Sequence, residues 1–170
     1  MKKNILTFLI IIFSLFVIVG CENKKDNTTK KEKKETKVNV ETKKDKYVKY
    51  VKELRKQTKS TEDLPFTIDV IYEKADDEMR YQVVIDNPTA SITDIMALAI
   101  HDKQTDDVFP SVGIFDKKLN LIPDEKPSGV ILVGYIPYNG KEEDFECEIK
   151  VLVTYKIDNI EYKGYYLTKK

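Results

Sequence analysis

Tryptophan is absent from this 170-residue chain, histidine occurs once and cysteine twice. Each scarcity removes a class of chemistry. A zinc centre or a Ser-His-Asp triad would have to run through the single histidine, His101. The cysteines, Cys21 and Cys147, form no Cys-x-x-Cys pair. If Cys21 is modified, Cys147 has no partner within the chain and a disulfide framework is excluded. Cys147 is then a small apolar core residue. The six glycines stand scattered at positions 20, 113, 129, 134, 140 and 164, so no glycine-rich phosphate loop is present. His-Glu-x-x-His and the EF-hand calcium loop are missing as well.

What is present is charge, unevenly placed. Charged residues make up 34% of the chain and the formal net charge is zero. Residues 21–59 nevertheless carry a net +8, and residues 60–170 a net −10. A basic arm thus leads into an acidic head. An acidic head argues against nucleic acid as a partner, because phosphate binding needs a cationic footprint.

The first residues have the shape of a secretory leader. Met1-Lys2-Lys3 is cationic, and Ile5 to Val19 is apolar apart from Thr7 and Ser14. That run is shorter than the ~20 residues a spanning helix needs. It ends at small Gly20, as a signal peptide does before its cut. Ile18-Val19-Gly20-Cys21 resembles the bacterial lipobox, in which cleavage falls before a cysteine that receives lipid. The resemblance implies a signal peptide over 1–20, cleaved between Gly20 and Cys21, and fatty-acyl chains on Cys21. It places the chain on the outer face of a bacterial cell membrane. Each buried methylene of such an anchor contributes ~0.8 kcal/mol. An uncleaved N-terminal anchor is the alternative, and it also leaves the head outside.

Residues 21–45 are expected to be the lipidated cysteine and a disordered Lys-rich stalk. Between Glu22 and Lys44 only Val38 and Val40 are apolar, too little to offset the entropy of ordering. The lysines there are either a solvated spacer or a contact for anionic lipid or wall polymer. Residues 46–60 are expected to form an amphipathic helix. Tyr47, Tyr50, Val51 and Leu54 fall at i, i+3, i+4 and i+7, with Asp45 as the cap. The apolar stripe can pack on the head or lie in the membrane interface.

From Leu64 the period changes to two, and residues 61–170 are expected to form one β-sandwich domain. Phe66, Ile68, Val70 and Tyr72 alternate with Thr67, Asp69 and Ile71, and Tyr81, Val83 and Ile85 with Gln82, Val84 and Asp86. Lys74 to Glu78 is a loop of hairpin length, and Asp86-Asn87-Pro88 ends the second strand. Ile92, Ile95, Met96 and Ala99 keep helical spacing, but Ile95 to Ile100 is assigned as strand because its neighbours are strands. Val108 to Phe115 is the fourth strand, with Pro110 marking a sheet edge. Leu119 to Ile122 and Val130 to Tyr138 follow. Phe145 to Ile157 sets Cys147, Ile149, Val151, Val153 and Tyr155 on one face, and Asp158-Asn159 turns into Ile160 to Thr168. Seven or eight such strands indicate a β-sandwich.

The Asp86-Asn87-Pro88 turn and the Tyr155, Tyr162 and Tyr165 ending resemble immunoglobulin-like domains in Gram-positive lipoproteins. The resemblance covers residues 64–168. It implies a fold and an envelope location, and no activity.

Two function classes follow. The first is a non-catalytic envelope module that binds a protein, glycan or ion and needs no cofactor. The second is a small envelope hydrolase using two of the head's carboxylates, although nothing in the sequence marks a pair. Two α/β lobes of a transporter binding protein do not fit this length and pattern. One acidic cluster is expected from parity. If each strand crosses the domain, the odd-to-even turns lie at the membrane-distal end. They carry Asp76, Asp77 and Glu78, then Asp102, Asp106 and Asp107, then Asp124 and Glu125. Such a pole could hold calcium at ~0.1–1 mM, as extracellular modules do, or meet a basic partner.

Overall fold

The structure is a computed structural model that describes residues 41–103, 108–126, 129–138, 140–141 and 145–170. The leader, Gly20, Cys21, the stalk up to residue 40 and the carboxylates Asp106 and Asp107 lie outside the described residues.

Among the described residues, one helix and eight strands follow in order: α1 (Lys43–Arg55), β1 (Thr67–Ala75), β2 (Glu78–Asp86), β3 (Ile92–His101), β4 (Ser111–Val112), β5 (Leu119–Leu121), β6 (Val130–Pro137), β7 (Glu148–Ile157) and β8 (Ile160–Lys169). Two antiparallel sheets form an all-β sandwich. One has the order β1-β2-β6; the other has the order β4-β3-β7-β8, with β5 also paired to β3. Their inner faces meet in a core that includes Phe66, Tyr81, Val83, Ile85, Ile95, Val130, Leu132, Ile149, Val151 and Val153. The expected β7 face holds, with Cys147, Ile149, Val151, Val153 and Tyr155 all buried in it.

The second sheet is covered on its other face too. Tyr50, Val51 and Leu54 of α1 pack on Met96, Leu98, Ile100, Ile114 and Leu152, with Tyr47 partly buried beside them. The helical stripe is therefore spent on the sandwich. This third layer explains why β3 is apolar on both faces: Ile95, Ala97 and Ala99 face the other sheet, while Met96, Leu98 and Ile100 face the helix. Helical spacing of Ile92 and Ile95 has a second cause. The register of β3 shifts against β5 between Ile92 and Ile95 and against β7 between Thr93 and Met96, and Asp94 takes φ 56°. This bulge lets two residues three apart both point into the core.

Three local expectations are corrected. The helix starts earlier, because Thr42 rather than Asp45 is its cap; Asp45 sits at the third position and returns the bond to the Thr42 amide. The helix also stops earlier, at Arg55. The chain beyond it is polar and crosses to β8, where the Thr61 amide donates to the Tyr165 carbonyl at 2.8 Å and Ser60 Oγ accepts from the Leu167 amide at 3.0 Å. The fourth strand shrinks to Ser111–Val112. Gly113 ends it at φ 74°, where a Cβ would stand 2.5 Å from the Ile95 carbonyl oxygen.

Candidate binding surfaces

The pairing divides the expected acidic pole. Ser111 and Val112 pair with Leu98 and Ala97, and Leu119 and Leu121 pair with Ile95 and Ile92. Both segments run antiparallel to β3, along the edge that β7 does not use. β4 and β5 are thus one interrupted edge strand, and the chain does not cross the domain between them. Parity fails at this point. Asp124 and Glu125 follow Leu121 to the end where β3 begins. Asp76, Asp77 and Glu78 lie at the other end: the Tyr138 amide donates to the Asp77 carbonyl, and Tyr138 and Tyr72 both pack edge-on against Phe145. Asp102 is at that end as well, with its amide on the Glu148 carbonyl and its carboxylate accepting from the Glu148 amide at 3.2 Å.

Cations share this end. Lys74 Nζ lies 5.5 Å from the Tyr138 ring centroid, and Lys170 Nζ lies 5.0 Å from that of Tyr72. Among the described residues, no three His, Cys, Asp or Glu side chains stand close enough to hold a metal ion.

His101 is the last residue of β3, and its side chain turns inward. It is 8% exposed, edge-on to Tyr81 at 5.9 Å and to Phe109 at 5.2 Å. Beside it is a cleft of about 370 Å³ lined by Arg55, Asp102, Lys103, Glu148 and Lys150 among others. Its charges tie elements together. Lys150 Nζ donates to the Gln57 carbonyl at 2.7 Å, just past the end of α1, and pairs with Glu148 at 3.3 Å. A cation there complements the helix C-terminus. Burial, with the Asp102 charge adding to it, pushes the Cys147 thiol up to about 12. It is protonated at neutral pH and carries little nucleophilic character. Burial likewise raises the Tyr72 and Tyr81 phenols.

An accessible apolar surface lies on the sheet that α1 does not cover. On the outward face of β1-β2-β6, Ile71 is 53%, Ile131 56%, Val133 38% and Tyr135 46% exposed. The register sets them on one face with β2 between: Val84 stands opposite Ile131, Gln82 separates Ile71 from Val133, and Arg80 stands opposite Tyr135. β6 is an edge strand among the described strands, and none of its eight residues is charged. Natural edges are commonly blunted by charge, so an uncharged edge beside an exposed apolar face is a candidate interaction surface. Sequence reading missed it. The available signal was Val130 to Tyr138 being apolar on both faces with only one face needed for the core.

No family model matches the chain. Neither a curated protein nor a solved structure matches it either.

Proposed function

We propose that the protein is a lipid-anchored envelope protein whose sandwich is a non-catalytic module that binds a protein partner. The anchor rests on the cationic start, the apolar run and Ile18-Val19-Gly20-Cys21. The binding half rests on one observation: Ile71, Ile131, Val133 and Tyr135 are exposed together on the sheet away from the helix. The sheet order, with β2 between β1 and β6 and β7 between β3 and β8, supports the immunoglobulin-like reading of the sandwich. The groups most suited to chemistry have structural work: His101 packs between two rings, and Asp102 and Glu148 hold strand ends together.

A photo-crosslinking residue at Val133 of the full chain, in intact envelopes, tests this. The expected result is a discrete protein adduct that disappears when Ile71 and Ile131 are both changed to Lys, exposed sites where folding tolerates charge. An adduct indifferent to those changes overturns the binding face. Turnover of a peptidase, esterase or glycosidase substrate, abolished by one Asp or Glu substitution, overturns the non-catalytic reading.

A further inference from the structure

We propose that the outer face of α1 docks on the anionic lipid headgroups of the membrane that holds the chain. This rests on the lipid-anchor reading and adds an orientation to it.

The inner face of α1 is buried against the second sheet through Tyr50, Val51 and Leu54. The rest of the helix and its C-terminal extension expose Lys43, Lys44, Lys49, Lys52, Arg55, Lys56 and Lys59. The carboxylates of this segment are engaged. Asp45 holds the Thr42 cap, Glu41 pairs with Lys49 at 3.3 Å, and Glu53 is turned to Lys163 and Tyr165 on β8. Lys44, Lys52 and Lys56 have no ion-pair partner among the described residues. Lys44, Val48 and Lys52 recur every four residues, so they share one face, and Val48 is 39% exposed between the two lysines. An exposed apolar residue framed by lysines suits a headgroup layer, which offers phosphate oxygens and shallow apolar depth.

Charge complementarity gives the direction. Residues 60–170 carry a net −10, so an anionic surface repels the sandwich and attracts only the helix layer. The helix, ~20 Å long, would lie along the surface, which brings its lysines within a screening length of ~8–10 Å together. Reach is sufficient: the twenty-one residues from Cys21 to Glu41 span at most ~70 Å. Each lysine near such a surface favours the docked state roughly fivefold. The apolar face of β1-β2-β6 is on the opposite side of the sandwich and would point away from the membrane.

The test uses the full lipidated chain reconstituted into vesicles, either of phosphatidylcholine alone or with a third of phosphatidylglycerol. The reporter is Val48→Cys, with Ile131→Cys as the control, and the readout is labelling by an impermeant maleimide. Cys147 is buried, and lipid occupies Cys21. Labelling of Val48→Cys is expected to be ~10-fold slower on the anionic vesicles. The difference should vanish in ~1 M salt, where screening shortens to ~3 Å, and in the Lys44→Gln, Lys52→Gln, Lys56→Gln variant. Ile131→Cys should label equally on both. A chain retained on both vesicles with equal Val48→Cys labelling overturns the docking and leaves the anchor intact. A chain that washes off both overturns the two together. Protection on neutral vesicles produced only by added soluble polyglycerol phosphate assigns the face to wall polymer and overturns the membrane choice.

Discussion

The Tyr165 hydroxyl donates to the Glu53 carboxylate, joining α1 to the last strand across 112 residues of sequence. Lys163 adds bonds of 2.8 and 3.1 Å to the two oxygens of the same carboxylate. Burial alone would raise the Glu53 pKa, but Lys163 and Tyr165 stabilise the charged form and hold it below its ordinary 4.5.

That shift has a sign that acid unfolding can check. A carboxylate with a depressed folded pKa contributes stability that is complete above its unfolded value and is lost as pH falls through the folded one. The window therefore opens near pH 4.5 and extends below it. Asp94, held low by its hydrogen bond to Lys156 at 2.7 Å, titrates in the same direction. Denaturant midpoints measured from pH 6 downward should fall for the wild type and fall less for Glu53→Gln. Parallel slopes for the two proteins would show that the link does not couple to folding.

The helix is a structural layer, so truncating its contact should destabilise the whole sandwich. Leu54 is fully buried and meets Leu98 and Leu152 in one cluster. Leu54→Ala should cost about 2–5 kcal/mol, as buried leucine truncations do. Equilibrium urea unfolding measures this. A loss under about 0.5 kcal/mol would mean that α1 contributes nothing to the fold.

Gly113 should resist any side chain. Its φ of 74° and the 2.5 Å approach of the Ile95 carbonyl to an added Cβ oppose Gly113→Ala together. A destabilisation of about 1–3 kcal/mol is expected. Gly140, also at positive φ but with nothing within 4 Å of an added Cβ, should lose less on the same change. Equal thermal shifts for the two variants would deny the steric part of the argument.

Cys21→Ala should leave an uncut precursor that incorporates no radiolabelled fatty acid. A variant of normal mature size that still carries label would remove the lipobox reading of Ile18 to Cys21.

Much of the fold was legible because its signals are local. Alternation at Phe66 to Tyr72 reports a strand with one buried face, Cys147 to Tyr155 mark the side of their strand that faces the other sheet, and the Asp158-Asn159 turn takes the positive φ pair, 52° and 63°, that a two-residue hairpin requires. The amphipathic stripe of α1 was equally plain. Its cap was misplaced because Thr42 and Asp45 are both good capping residues, and only the reciprocal bonds decide between them.

The candidate surfaces were less legible because they are relations between distant segments. Gathering eight carboxylates assumed that every strand crosses the domain, and β4 and β5 do not: Gly113 breaks one edge strand in two without reversing it. The exposed face of β6 was ambiguous because apolar residues on both sides of a strand describe equally a buried central strand and an uncovered edge.

The sequence by itself carries the cationic start, apolar run and Ile18 to Cys21 pattern on which the anchor proposal rests, together with the period of each segment, the turn chemistry and the opposed charges of residues 21–59 and 60–170, since each is read within the chain's own order. Tertiary structure alone decided which apolar faces were consumed. β3 and β6 are both apolar on two sides, yet α1 covers the outer side of β3 and leaves that of β6 open. Burial is a property of what packs on a face, and a strand's own residues do not specify its cover.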